Sequence, residues 1–108
     1  MSARPEAVAN PARGEASIRV AGETLVLRPS FAALVAAEGE LGPLFALVER
    51  AAAGGLSLAE TVALLWHCVA ARPDWLTREA LGEAVVAGGL AAATAPLRVL
   101  LGQILAGR

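Results

Sequence analysis

The chain has 108 residues, 56% of them hydrophobic, and nine basic against ten acidic side chains leave a formal net charge of −1. A chain of this length is expected to form one domain that buries somewhat more than about 60% of its unfolded surface. Near-neutral charge with scattered arginines excludes a basic stripe tracking a phosphate backbone, and the longest charge-free run, residues 84–97, is shorter than the roughly 17–25 residues of a bilayer span.

Neither nucleic acid nor a membrane is therefore expected as a partner. Residues 1–13 place Pro5, Pro11 and Asn10 among small residues without periodicity, which reads as a flexible leader. It has no apolar core of the kind a secretory signal needs, so cytoplasmic synthesis is expected. The remainder, 14–108, reads as a single domain, with a β-hairpin over 14–29 and a helical body over 30–106.

In the hairpin, Ala16, Ile18 and Val20 alternate with Ser17 and Arg19, and Leu25 and Leu27 alternate with Thr24, Val26 and Arg28 on the other side of Ala21-Gly22-Glu23. Period two on both flanks of a Gly-containing turn predicts two antiparallel strands. Such a hairpin is marginal alone, so Ile18, Val20, Leu25 and Leu27 are expected to pack on helices, with Arg19 and Arg28 outward.

Pro29 ends the second strand, and Ser30 is placed to cap a helix with a stripe of Phe31, Leu34 and Val35 that fades at Glu38-Gly39-Glu40. Pro43 suits the first position of a second helix, with Leu44, Leu47 and Val48 on one face and Gly54-Gly55 at its close. Ser57 and Glu60 form a capping-box pattern opening a third helix to about Ala71, with a stripe of Leu58, Val62, Leu65, Trp66 and Val69. Thr77 is expected to cap a fourth helix through Leu81, Val85 and Val86. A last segment, Leu90 to Leu105, carries Pro96, which should begin a new helix or kink one. The fold class expected is α+β, mostly α, an N-terminal β-hairpin packed on a bundle of four to five short helices.

Catalytic chemistry is not provided for. Asp74 and His67 are the only residues of their types, so a Ser-His-Asp set has almost nothing to draw on. His67 and Cys68 are neighbours about 100° apart around a helix and do not face each other, which argues for a buried thiol beside a half-exposed imidazole. One Cys and one His exclude a disulfide within the chain and a Cys/His metal site. Glu38, Glu40 and Glu49 read as solvated helix ends rather than a cation cluster. No lysine exists for a phosphate loop. The expectation is a non-catalytic protein with no cofactor and no metal.

Binding surfaces are the remaining source of function. Trp66 is assigned to the core, and Trp75, in the turn after Arg72-Pro73-Asp74, is divided between a lid on the core and a partner contact. Leu97, Leu100, Leu101, Ile104 and Leu105 are divided between core and an amphipathic face open to another subunit, so a homo-oligomer is kept in view.

The hairpin around Gly22, the helix end Glu38-Gly39-Glu40-Leu41-Gly42, the Leu56-Ser57 helix start, and Leu76-Thr77-Arg78-Glu79 followed by Gly82 and Gly88-Gly89-Leu90 together resemble a known family. It is the small protein encoded among the tail genes of alphaproteobacterial gene transfer agents and related prophages, grouped with phage tail assembly chaperones. The resemblance spans roughly residues 14–106. It implies a role in building a phage-like tail inside the bacterial host cell, with other tail proteins, the tape-measure protein above all, as partners. Association with phage-like particles, as a structural tail or tail-tube component, is an alternative that the resemblance also implies. A small helical regulatory binding module is the reading from a different class.

Overall fold

The computed structural model describes residues 15–106; the leader expected over 1–13 lies outside them. Two strands, β1 (Ala16–Val20) and β2 (Glu23–Leu27), precede five helices: α1 (Phe31–Leu41), α2 (Leu44–Ala52), α3 (Leu58–Cys68), α4 (Arg78–Ala87) and α5 (Leu90–Ala106). The architecture is α+β and mostly helical. β1 pairs antiparallel with β2, Ala16 opposite Leu27 and Val20 opposite Glu23. That register leaves a two-residue loop, Ala21-Gly22, with φ of 53° and 82°. Positive φ at both central residues is the mirror-image turn whose twist matches the strands it joins. Glu23, read from the sequence as part of the turn, therefore belongs to β2.

Ile18 is half-buried, and Val20, Leu25 and Leu27 are buried, with Arg19 and Arg28 outward, as the alternation predicts. Val26, on the opposite pleat, is buried as well. The reason lies beyond the hairpin: α3 stops at Cys68 instead of Ala71, and Val69 turns extended with ψ of 117°. Ala70 N–H then donates to Val26 C=O at 2.9 Å and Arg28 N–H to Cys68 C=O at 2.7 Å. This short antiparallel bridge, Leu27 to Val69, occupies the far edge of β2 and leaves β1 as the outer strand.

Side-chain caps start three helices where the sequence puts them. Ser30 Oγ accepts from Ala33 N–H at 3.1 Å, Ser57 Oγ from Glu60 N–H at 3.1 Å, and Thr77 Oγ1 from Ala80 N–H at 3.0 Å. Each satisfies a donor that the first helical turn cannot satisfy itself. The core is built from Leu27, Leu47, Leu64, Leu65, Leu81, Leu100 and Cys68, all fully enclosed. Helix α3 runs through its middle, packed against α1 on one side and α4 on the other. A helix with two packed sides buries more than one stripe, so Ala63, Leu64 and Cys68 are enclosed along with Leu65. Leu58, expected on that stripe, is exposed, and Trp66, assigned to the core, is half-buried against it.

Two further expectations are corrected. Phe31 and Val35, read as part of the core stripe of α1, are 85% and 51% exposed, and the buried residue of that helix is Ala37. Small Ala37 is enclosed where α1 packs against α3, with Ala33, Leu34 and Leu41 packed on the core beside it, so Leu34 faces inward as expected while Phe31 and Val35 lie off that face. Pro96 does not start a new helix, the first of its two expected roles: α5 runs from Leu90 to Ala106 through it. Proline cannot donate to the carbonyl four residues back, so the helix continues with one backbone bond missing.

Candidate partner-binding site

Helix α4 ends at Ala87 with Gly88 as its cap, and Gly89, at φ 85°, turns the chain so that α5 leaves at 117° to α4. That left-handed backbone is one that glycine adopts without the clash a Cβ would bring. After this corner, Leu90, Ala93, Thr94, Leu97, Arg98 and Leu101 recur at the i, i+3, i+4, i+7, i+8, i+11 spacing of one helical face. The stripe is about 16 Å long at 1.5 Å per residue.

A second wall faces it. Gly54 and Leu56, with Ala51 of α2 and with Leu58 and Thr61 of α3, close an open groove of about 360 Å³ against the α5 stripe. The corner holding that wall is well braced. Glu60 accepts from Ser57 N–H at 3.0 Å and from Arg50 Nη1 at 2.5 Å, joining the last turn of α2 to the first turn of α3. Hydrogen bonds from the Ser57 backbone first, and then from Arg50, hold the Glu60 carboxyl below the usual carboxylate range.

The groove is apolar in chemistry as well as in composition. Its two hydroxyls are engaged by their own helices: Thr61 Oγ1 donates to Ser57 C=O at 3.0 Å and Thr94 Oγ1 to Leu90 C=O at 3.3 Å. Leucine side chains line both walls, and Leu58 and Leu90 remain 45% and 61% exposed. Contiguous exposed leucines around a concavity mark a site that another molecule fills more often than a surface left to water.

The residues singled out from the sequence divide accordingly. Leu97 and Leu101 line the groove and, half-buried, also pack against the core. Leu100 is fully enclosed and belongs to the core, which takes it off the partner face. Ile104 is half-buried, and Leu105 is exposed one turn beyond the groove. Trp75 is 42% exposed in the turn between α3 and α4, away from the groove lining. Leu56, Leu58, Leu90 and Arg98 were missed. Leu90 was within reach, since it lies seven and eleven residues before Leu97 and Leu101, but the wall from α2 and α3 is a tertiary product. Also missed are the two phenylalanines as surface residues: Phe45 is 79% exposed on α2, and Phe31 still more so.

The opposite end of α3 is polar, and its charges are paired at the surface. Arg78 of α4 makes two hydrogen bonds to Glu40 of α1, at 2.6 and 2.7 Å, and His67 Nε2 lies 2.8 Å from the same carboxylate. Trp66 is flanked by the guanidinium groups of Arg72 at 4.1 Å and Arg78 at 5.7 Å from its ring centre. Hydrogen bonds from Arg78, then from His67, lower the Glu40 carboxyl from an ordinary 4.5 to about 2. Glu40 is thus the exposed helix end expected, and it is also paired within the chain, while Glu38 accepts from Leu44 N–H at 3.1 Å at the start of α2. Cys68 is buried in the hydrophobic core, and desolvation pushes its thiol up to about 12. A thiol so held is protonated at neutral pH and is a poor nucleophile.

Known proteins add one finding. The model of the family described as phage tail tube protein, GTA-gp10, matches residues 13–107 of this chain. No curated protein and no solved structure matches it.

Proposed function

Because this chain belongs to the phage tail tube protein family GTA-gp10, we propose that it acts as a tail assembly chaperone holding an apolar helix of the tape-measure protein along the α5 groove. The family is one of phage-tail components, so the chain has a structural or assembly role in a phage-like tail and meets other tail proteins. The finer reading rests on a single observation, the leucine stripe from Leu90 to Leu101 left open opposite Leu56 and Leu58. An amphipathic helix laid in such a groove removes leucine surface from water at roughly 25 cal/mol per Å². A long apolar client gains the most from that cover before the tube closes around it.

Co-expression with the tape-measure protein of the same tail gene cluster tests this. The chain should co-purify with the client and raise its soluble fraction, and the Leu90→Ser/Leu97→Ser variant should lose both effects. Failure to co-purify would sink the chaperone reading. A structural tail-tube role is the second reading, favoured by the family's own description and by β1, which forms the outer edge of the sheet. Against it stands the size of the sheet, two strands and one bridge among the described residues, where ring closure by strand pairing calls for more. Presence of the chain in purified particles, in stoichiometric amount, separates the two.

A further inference from the structure

We propose that Arg98 selects the helix that docks in the groove, by pairing with a carboxylate that this helix carries among its apolar residues. The inference rests on the groove being the client site, and goes beyond it by naming the client's chemistry. Among the described residues the arginines fall into two groups. Arg28, Arg50 and Arg78 pair with Glu15, Glu60 and Glu40, Arg19 bonds to Thr24 and Gly22, and Arg72 stacks on Trp66. Arg98 alone has no hydrogen bond, ion pair or ring contact of this kind.

Its position makes that isolation consequential. Arg98 is the only charged side chain among the described residues that line the groove. It is exposed and shares the stripe with Leu97 and Leu101, and an arginine there can cover apolar surface with its methylene stem while its guanidinium stays in water. A helix seated on the stripe takes water away from that guanidinium. A desolvated charge without a counter-ion opposes binding, whereas a carboxylate meeting the guanidinium fork makes two parallel charge-assisted hydrogen bonds. The Thr61 and Thr94 hydroxyls already donate to carbonyls of their own helices, so among the described residues lining the groove Arg98 is the one charged group that can set register. Leucine contacts tolerate a helix sliding by a turn, and a single ion pair does not. The client helix is therefore apolar with one Asp or Glu placed to reach Arg98, and an otherwise equal helix with Lys at that position is rejected.

Two synthetic Ala/Leu-rich amphipathic helices of about 18 residues, long enough for the groove at 1.5 Å per residue, test this against the full chain. They differ only in carrying Glu or Lys at one edge of the apolar face. The Glu peptide should bind about tenfold more tightly to the natural chain by fluorescence anisotropy at low salt, a ratio equal to about 1.4 kcal/mol. R98E should reverse the preference, and R98Q should abolish it without reversing it, with helical circular dichroism unchanged in both. Equal binding of the two peptides, unaffected by R98E, overturns the role of Arg98 and leaves the groove reading standing. If neither peptide binds, or if light scattering shows a second copy filling the groove, the inference falls. Loss of tape-measure co-purification would then remove the groove reading separately.

Discussion

The two ends of α3 are finished in opposite ways. At its C-terminal end, Trp66 and His67 enter a paired polar cluster with Glu40, Arg72 and Arg78, in which each charged group meets a partner from another part of the chain. At its N-terminal end, Leu58 faces the open α5 stripe, where leucines stay exposed and Arg98 meets no carboxylate. A satisfied cluster contributes to the fold and offers little to a partner. In the groove, Leu56, Leu97 and Leu101 pack partly on the core, while the exposed Leu58 and Leu90 contribute less to the fold and can gain more from a partner. The contrast separates the part of the chain that maintains its shape from the part available for assembly.

The comparison breaks if substitutions at the two ends act alike, and the largest effect should come from between them. Leu64→Ala, in the fully enclosed middle of α3, should lower the unfolding free energy by about 3 kcal/mol in urea titration through lost burial and a residual cavity. Ser57→Ala removes the capping box at the groove end and should cost about 1 kcal/mol by the same measurement. A smaller, pH-dependent effect is expected at the polar end. Glu40 has its folded pKa lowered from 4.5 to about 2, so its contribution is present above the unfolded value and is lost as pH falls between the two. Glu40→Gln should flatten the decline in thermal midpoint across that acid range, and an unchanged slope would remove the cluster from the account. Smallest of all, Leu90→Ser should change stability by no more than about 0.5 kcal/mol, as an exposed position does, while weakening client binding. A large loss of stability there would mean that the leucine serves the fold.

Local chemistry made part of this readable before any coordinates. The hairpin followed from alternation around Gly22, and the helix starts at Ser30, Ser57 and Thr77 followed from residues that bond donors three positions ahead. What could not be read depends on contacts between distant segments. Glu40 meets partners 27 and 38 residues away, and nothing in a helix-end glutamate announces them. The end of α3 at Cys68 is set by strand pairing with Val26 and Arg28, not by a local stop signal. Phe31 and Val35 sit at helical spacing, yet spacing alone does not say which side of α1 meets α3; the fit of Ala37 decides it. The groove was half legible. Leu97 and Leu101 stood out on periodicity, while its second wall depends on how Arg50 and Glu60 fold α2 against α3.

Site-specific photo-crosslinking within the assembled complex locates the face that holds the client. A photoreactive residue in place of Leu90 should capture the co-expressed tape-measure protein, while the same residue in place of Phe31 or Trp75 should not. Capture at 31 or 75 with none at 90 would contradict the account and move the client to another face of the molecule.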